Sequence, residues 1–472
     1  MKIYNTLTKK VEELIPNEPG KIKMYTCGPT VYHFAHIGNL RTYIFEDILE
    51  KTLKYIGYEV TRCMNITDVG HLTSDSDYVE DKMLKGARRE HKSVLEIADY
   101  YTQEFKKDCG KLNIRWPDIV SPATNNIDEY IKIIEKLLEK GLAYISGGNV
   151  YYDTSKLNDY YVLTNHKEDE MVVGVREGVE EDLSKKNQAD FVLWFTKSKF
   201  EDQELKWESP WGLGYPGWHI ECSGIALKYL GEHLDIHCGG IDNIFPHHTN
   251  EIAQSEGYLG HKWCNYWVHG EHLNDINGKM SKSKGEFLTV SLLESKGYNP
   301  LSYRYLCLKS YYHNVLTFSY DILDGAQNEY NKLKNKIKNI KKDDSKIDEI
   351  KFEEYNNKFK ETLSNDLNTS QAITTLYDVI KADITNKTKL ELIKSFDEVL
   401  SLDLLKEETS NITNDEKEII ENLINQRNEA KKNKEYEKAD QIREELLNMG
   451  IIIKDTREGT TYEKNNSLTV IF

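Results

Sequence analysis

The amino-terminal part of the chain shows two hydrophobic periods in succession. From Lys21 to Thr26 polar and apolar residues alternate as in a half-buried strand, and Cys27-Gly28-Pro29-Thr30 breaks the alternation. After Gly38 the apolar residues recur at helical spacing until Gly57, where a left-handed cap would end the helix. Tyr58 to Thr67 again has the pattern of a strand. This order predicts a βαβ unit with parallel strands.

A second α/β alternation follows much later in the chain. The pattern predicts helices over Trp218–Leu230 and His247–Leu259, and strands over Leu234–Cys238 and Asn265–His269. The intervening stretch, roughly 116–205, has strand-like pieces such as Asn149–Asp153 and reads as a small inserted domain. We therefore predict an α/β fold, in which an insertion splits a Rossmann-like parallel-sheet domain.

The character of the chain changes after about residue 325. Long, charged, amphipathic stretches there predict a bundle of helices, and the last part, from Ile451 to Phe472, has strand-like pieces around Gly459. We expect a Rossmann-like domain of 1–115 and 206–265, an inserted domain of 116–205, a connecting region of 266–325, a helical bundle of 326–402 and a small carboxyl-terminal domain of 403–472.

Composition narrows the class of protein. The 472 residues exceed the usual size of one domain several times over, so about three domains are expected. No apolar run is long enough to span a membrane, and no secretory signal precedes the first strand, so we expect a cytoplasmic protein without a membrane partner. Seven cysteines, an odd number, indicate reduced thiols rather than a disulfide framework. The net charge of -16 argues against non-specific nucleic-acid binding, although a local basic face can still hold phosphates.

Two short motifs are candidates for nucleotide chemistry. His36-Ile37-Gly38-Asn39 lies where a helix begins beyond a strand, a position that offers N–H groups and partial positive charge to phosphate. Lys279-Met280-Ser281-Lys282-Ser283 places two ammonium groups on a short polar segment, where they would neutralise charge on leaving pyrophosphate. Taken alone, an ordinary helix start and a solvated Lys-Ser loop explain these segments equally well.

Four further side chains form a candidate metal site. His247 and Glu251 are four residues apart on a predicted helix and share one face, while Cys27 and Cys222 lie on segments that meet above the sheet. Two thiolates, an imidazole and a carboxylate suit Zn²⁺ in number and softness. Taken alone, a buried Cys and a helical His/Glu pair are more often packing or an ion pair.

The two nucleotide motifs, residues 36–39 and 279–283, together resemble the HIGH and KMSKS signatures of class I aminoacyl-tRNA synthetases. The segments Cys27–Tyr32, Gly217–Cys222 and Phe245–Glu251 are similar, residue type by residue type, to those of the cysteinyl-tRNA synthetase family. The resemblance implies a ligase that activates cysteine with ATP to cysteinyl-adenylate and transfers it to tRNA(Cys). Asn39 departs from the family motif, which usually ends in His.

The resemblance also implies roles for individual residues, with one Zn²⁺ per chain selecting the substrate thiol and Mg²⁺ accompanying ATP. Cysteine and serine differ by one atom, and shape alone separates near-isosteres by only about 10- to 200-fold. The implied residues are His36, Lys279 and Lys282 for catalysis; His36, Gly38, Asn39, Gly240, Asp242 and Lys282 for ATP; Gly28, Thr67, Trp218 and His237 for cysteine; and Cys27, Cys222, His247 and Glu251 for zinc.

The same resemblance implies that the last third of the chain recognises tRNA. Region 266–325 would carry the KMSKS loop and contact the tRNA stem, 326–402 would be the tRNA-binding bundle, and 403–472 would bind the anticodon, with Tyr462 placed to stack on an unpaired base. We expect a monomer. Two other functions stay open: a cysteine-adenylating ligase acting on a small amine, and a zinc-stabilised RNA-binding protein with a decayed nucleotide site.

Overall fold

The computed structural model describes residues 1–69, 93–164, 184–197, 205–275, 278–279, 287–406, 414–433, 435–449, 451–456 and 459–464. The strands are β1 (Lys2–Asn5), β2 (Lys10–Glu13), β3 (Lys21–Thr26), β4 (Glu59–Ile66), β5 (Ile119–Pro122), β6 (Ala143–Ser146), β7 (Asn149–Tyr152), β8 (Phe191–Phe195), β9 (Tyr215–Pro216), β10 (Leu234–Gly240), β11 (Cys264–Gly270), β12 (Leu273–Asp275), β13 (Gly278–Lys279), β14 (Leu316–Phe318), β15 (Ile451–Thr456) and β16 (Gly459–Lys464). The helices are α1 (Ile37–Tyr55), α2 (Val94–Lys111), α3 (Ile127–Glu139), α4 (His219–Leu230), α5 (Thr249–Leu259), α6 (Val290–Ser295), α7 (Pro300–Leu308), α8 (Tyr320–Lys338), α9 (Glu349–Ser364), α10 (Thr369–Lys381), α11 (Asn386–Leu400), α12 (Asn414–Lys432) and α13 (Tyr436–Asn448).

The central sheet has five strands, all parallel, in the order β11-β10-β3-β4-β5. Strand β3 has the predicted bounds, β4 lies within its predicted range, and α1 begins at Ile37, one residue before the predicted helical pattern. Six of the seven residues of β10 are buried, as a parallel strand with helices on both faces requires. Gly57, just beyond α1, has φ +108°, which a glycine adopts without a steric penalty. The predicted Rossmann-like α/β fold is therefore confirmed.

The insertion contains an antiparallel sheet in the order β6-β7-β8-β9. This sheet does not coincide with the expected range of 116–205. Strand β5 falls within that range but pairs with β4 in the central sheet, whereas β9 lies beyond the range and pairs with β8. Both strands have four residues or fewer. Pairing with distant neighbours defines such short strands, and their own hydrophobic pattern carries too few positions to reveal them.

Helix α1 connects the sheet to the helical bundle. Near its middle Asp47 accepts from the guanidinium of Arg304 at 2.7 Å, and neither side chain is exposed. The same guanidinium donates to the backbone oxygen of Leu400 at 2.7 Å, at the end of α11. At the carboxyl-terminal end of α1 the hydroxyls of Tyr55 and Ser395 lie 2.6 Å apart. Polar contacts, fully buried at Asp47 and Arg304, therefore join α1 to α11 of the bundle.

The helices α8 to α11 form the bundle, and their apolar residues join the core of the parallel sheet in one continuous cluster that extends to Leu404. The carboxyl-terminal part has a separate small core between α12, α13 and the antiparallel hairpin β15-β16, to which Ile420, Ile442 and Ile451 contribute. The hairpin matches the predicted strand-like pieces around Gly459. No helix within the described ranges is both long enough and apolar enough to cross a membrane.

Candidate active site

The four predicted metal ligands come together at the carboxyl ends of β3 and β10. Cys27 directly follows β3, Cys222 lies in the first turns of α4, and Glu251 lies in the first turn of α5, just after His247. One ligand atom from each of these four residues lies within 4.8 Å of the others. The two Sγ atoms are 3.9 Å apart, and His247 Nε2 is 3.1 Å from Glu251 Oε1. The chain thus brings four residues from three separate segments into coordination range.

The chemistry of this cluster fits a divalent cation. Glu251 Oε1 is buried and has no hydrogen-bond partner, although it faces an imidazole nitrogen at 3.1 Å. Burial raises the pKa of the Cys27 thiol and raises that of Cys222 to about 11, while it lowers the pKa of His247. A cation held by these groups would stabilise both thiolates and satisfy the orphaned oxygen. Two sulfur donors, one nitrogen and one oxygen are a donor set that Zn²⁺ accepts.

Two histidines outside the first donor set, His248 and His269, form a chain of contacts that begins at Cys27. His248 Nε2 lies 3.1 Å from Cys27 Sγ, and its Nδ1 lies 2.7 Å from His269 Nε2. The chain of contacts ends where His269 Nδ1 meets the hydroxyl of Thr6 at 2.7 Å. Such partners fix the orientation of ligand side chains. Sequence patterns did not reveal this role of His248 and His269, because the partners lie far apart in the chain.

His237, predicted to contact cysteine, lies against one of the metal-ligand candidates. Its Nε2 is 2.8 Å from Glu251 Oε2, and the ring is fully buried. Cys27, His237, His248 and Glu251 also form a group within 4.8 Å, so a second donor set overlaps the first. The set with two thiols suits the softness of zinc better.

Hydrogen bonds beside the cluster connect the segment after β3, the end of β4 and the start of α4. The Gly28 N–H donates to Asn65 Oδ1 at 2.7 Å, and a Cβ at Gly28 would lie 1.7 Å from the Asn65 backbone oxygen. The Thr67 hydroxyl donates to Glu221 Oε1 at 2.9 Å. Burial raises the pKa of Glu221 to about 8, against hydrogen bonds from Asn65 and Thr67 that lower it. Sequence reasoning did not single out Asn65 or Glu221, although Glu221 immediately precedes Cys222.

Trp218 packs against the core of the insertion. It precedes the first residue of α4, and its ring meets that of Trp207 edge to face with centroids 6.4 Å apart. The indole is half-buried, and its Nε1 has no hydrogen-bond partner. A large flat ring with its polar atom unsatisfied is consistent with the predicted wall of a ligand pocket.

The predicted nucleotide residues lie at the start of α1. His36 is the N-cap of this helix, and its Nδ1 accepts from the Gly38 N–H at 3.0 Å. The neutral ring therefore carries its proton on Nε2, the atom able to donate to a phosphate. A Cβ at Gly38 would lie 3.2 Å from His36 Nδ1, so the glycine leaves room for the capping ring. Asn39 is exposed in the first turn.

A second part of the predicted nucleotide site, the turn of residues 240–242, follows at the end of β10. This turn and residues 36–39 at the start of α1 together form the nucleotide edge. The Gly240 N–H donates to Asn243 Oδ1 at 3.0 Å, and Asp242 Oδ1 lies 3.2 Å from His272 Nε2. The Asp242 side chain is 62% exposed. A Cβ at Gly239 would lie 2.7 Å from His248 Cε1, so the glycine before this turn allows the turn to approach the histidines behind the metal cluster.

The lysine-rich motif is only partly described. Strand β13 contains Lys279, whose backbone pairs with Asn274 in antiparallel β12. Lys282 lies outside the described residues. In the carboxyl-terminal domain Arg427 donates both terminal nitrogens to Asp455 at 2.9 Å each, and Tyr462 is half-buried against the small core. Stacking of Tyr462 on a base stays a prediction.

Comparisons with known proteins agree with this arrangement. Residues 13–328 match the family of tRNA synthetases class I (C) catalytic domains, and residues 413–462 match the cysteinyl-tRNA ligase anticodon binding domain. The cysteine–tRNA ligase of Treponema denticola is 46% identical, over 98% of this chain and 99% of its own length. That of Clostridioides difficile is 39% identical, over 98% of this chain and all of its own length.

A solved structure reproduces the fold at much lower sequence identity. Mycobacterium tuberculosis methionyl-tRNA synthetase in complex with methionyl-adenylate matches 81% of this chain and 90% of its own, with a TM-score of 0.53 and 14% identity. The identity to curated relatives extends over both the catalytic and the carboxyl-terminal parts and confirms the resemblance in the signature motifs. The chain therefore belongs to the cysteine–tRNA ligase family of class I aminoacyl-tRNA synthetases.

Proposed function

We propose that this protein is an ATP-dependent cysteine–tRNA ligase. The cysteine carboxylate attacks the α-phosphate of ATP, giving cysteinyl-adenylate and pyrophosphate, and the terminal ribose of tRNA(Cys) then takes the cysteinyl group and releases AMP. The convergence of Cys27, Cys222, His247 and Glu251 beside the nucleotide edge carries the proposal. A ligase for another small amino acid has no need of a thiolate-binding metal at this position.

The residues around the cluster would bind and orient the amino acid. Cys27, Cys222, His247 and Glu251 would hold Zn²⁺, and the metal would supply affinity for a substrate thiolate that a serine hydroxyl does not match. Gly28 and Thr67 orient the amino and carboxyl groups, and Trp218 excludes water from one side. His237 acts behind Glu251, where its 2.8 Å contact holds the carboxylate in place.

The nucleotide edge would position ATP and neutralise its charge. His36, through Nε2, donates to phosphate while its other nitrogen caps α1. Gly38 and Asn39 form the start of that helix, Gly240 and Asp242 take the adenosine, and Lys279 and Lys282 neutralise the departing pyrophosphate with Mg²⁺. Positioning and charge stabilisation supply the catalysis, and no covalent enzyme intermediate is required.

The remaining assignments extend from the same function. The bundle of 326–402 and the domain of 403–472 would hold tRNA(Cys), with region 266–325 against its stem. All seven cysteines are free thiols, which supports a reducing, cytoplasmic environment. We propose a monomer, since the predicted ligands all come from one chain.

The test is exchange of pyrophosphate into ATP that depends on cysteine, followed by charging of tRNA(Cys). We expect exchange with cysteine and none with serine at the same concentration, followed by charging. Absence of cysteine-dependent exchange would refute the ligase. Exchange without charging would favour transfer to a small amine, and tRNA binding without exchange would favour a decayed nucleotide site.

A further inference from the structure

Glu221 is a buried carboxylate that is not among the predicted zinc, cysteine or nucleotide residues. Its side chain belongs to a residue only 2% exposed, and its described hydrogen-bond partners are Asn65 and Thr67. The neighbouring charges that act on it are the carboxylates of Asp68 and Glu251. No Lys or Arg in the part of the chain that the structure describes makes an ion pair with it. A buried carboxylate without a cation is costly, and such groups are usually paired.

The hydrogen-bond directions around Glu221 follow from one backbone group. The Gly28 N–H can only donate, so the oxygen of the Asn65 amide must face it, at 2.7 Å. The Asn65 nitrogen then points the other way and donates to Glu221 Oε1 at 2.7 Å and to the Thr67 hydroxyl at 3.3 Å. The orientation of this amide is therefore determined by the network itself.

The same reasoning determines the direction of the Thr67 hydroxyl. Its oxygen lies 2.9 Å and 3.0 Å from the two Glu221 oxygens, and it already accepts from Asn65. When Glu221 is ionised its oxygens can only accept, so the hydroxyl proton points to the carboxylate and the Thr67 oxygen keeps a second lone pair as an acceptor. Thr67 is half-buried and its backbone bridges to Thr30, next to the segment that carries Cys27.

We propose that Glu221 is a positioning residue that makes the Thr67 hydroxyl an acceptor for the α-ammonium group of the substrate. The inference rests on the proposed function, since it concerns the orientation of cysteine in the same pocket. The ammonium group of the substrate supplies the positive charge that no described Lys or Arg provides to Glu221. The site therefore discriminates against thiols that lack an ammonium group. A glutamine at this position would donate to Thr67 and turn the hydroxyl into a donor, which an ammonium group cannot use.

The test compares two ligands that differ by the ammonium group alone: cysteine and 3-mercaptopropionate. In Glu221→Gln we expect the KM for cysteine in pyrophosphate exchange to rise about 10- to 100-fold, as for loss of a charge-assisted hydrogen bond. The inhibition constant of 3-mercaptopropionate, measured against cysteine, should change less than about 2-fold. Glu256→Gln, a carboxylate on α5 that accepts from the Trp263 backbone, is the matched control and should change neither constant.

Zinc content is measured in each variant, because Glu221 precedes a predicted ligand. Equal weakening of both thiols, with or without loss of zinc, would assign Glu221 a structural role and overturn the inference. Unchanged cysteine binding would overturn it as well. Wild-type protein that fails to exchange pyrophosphate with cysteine would refute the proposed function itself, a distinct outcome.

Variants at Thr67 test the same inference while the Glu221 side chain itself is retained. Thr67→Val removes the hydroxyl and should weaken cysteine as Glu221→Gln does, again sparing 3-mercaptopropionate. Thr67→Ser retains the hydroxyl and should stay within about 3-fold of wild type. The double variant Glu221→Gln/Thr67→Val should be no worse than Thr67→Val alone, because both changes act on one acceptor. Additive losses would contradict the inference.

Discussion

The metal-ligand cluster and the nucleotide edge are neighbours that are built in different ways. Cys222 and Glu251 are 1% and 0% exposed, and the cluster is assembled from three segments that meet only in the folded chain. At the nucleotide edge His36 is positioned by the helix it caps, and Asp242 is 62% exposed. A substitution of one buried group with distant partners should disturb the other members of the cluster as well. A substitution of an exposed group on a local turn should affect only the contacts of that group. Substitutions should therefore have abrupt effects in the cluster and graded effects at the edge.

The largest effect is expected for Cys222→Ser. Loss of one thiolate should remove zinc and lower cysteine-dependent exchange more than about 1,000-fold, since metal coordination contributes several kcal/mol. ATP binding should stay within about 2-fold of wild type, because the edge does not depend on this side chain. Metal analysis, exchange rates and calorimetry with ATP measure the three quantities. Cys109→Ser, at a buried thiol on α2, is the control that should keep its zinc. Unchanged exchange in Cys222→Ser would remove the basis of thiol selection.

A smaller effect, confined to the rate, is expected for His36→Asn. Asparagine is a good N-cap, so the helix start and the melting temperature should be preserved while the imidazole donor to phosphate is lost. We expect kcat for exchange to fall about 100-fold, as for loss of one transition-state donor. His36→Ala is the matched variant and should lose about 1 kcal/mol of stability in addition. Full activity in His36→Asn would limit this histidine to a capping role.

Asp242→Asn should show the graded behaviour of the edge. The carboxylate is exposed and contacts His272, so its removal should raise the KM for ATP about 10-fold and leave the KM for cysteine unchanged. Glu232→Gln, an exposed carboxylate before the other end of β10, is the control. An equal rise in both Michaelis constants would contradict the separation of the two regions.

Removal of the carboxyl-terminal domain should leave both regions unaffected. A chain ending at Lys406 should keep wild-type exchange and lose charging of tRNA(Cys) about 100-fold, because one of two linked binding surfaces is gone. A chain ending at Leu400 should be unstable instead, since it lacks Leu402 and Leu404, which are 0% and 2% exposed. Loss of exchange in the longer chain would show that the tail supports the catalytic core.

The sequence predicted the parts of this molecule that depend on local pattern or on motif identity. Strand β3, helix α1 and the meeting of Cys27, Cys222, His247 and Glu251 follow from periodicity and from the family resemblance. The pairing of β5 with the central sheet was not predictable, because a four-residue strand has no reliable signature of its own.

Long-range polar partners were also beyond sequence reasoning. Nothing in the sequence distinguishes Arg304 from other arginines, yet it is buried and joins Asp47 on α1 to the end of α11. The sequence indicates only a helical carboxylate at Glu221, yet this side chain is the last acceptor in a hydrogen-bond network that begins at the Gly28 N–H. In each case the partner lies many residues away, and only the assembled fold determines which polar groups meet.

The missing side chain at Gly28 sets a limit for engineering this pocket. Even a methyl group there would overlap the Asn65 carbonyl oxygen, which belongs to the backbone of a central strand and has little freedom to retreat. Libraries that aim to admit bulkier amino acids should therefore leave Gly28 unchanged and vary side chains such as Trp218 instead.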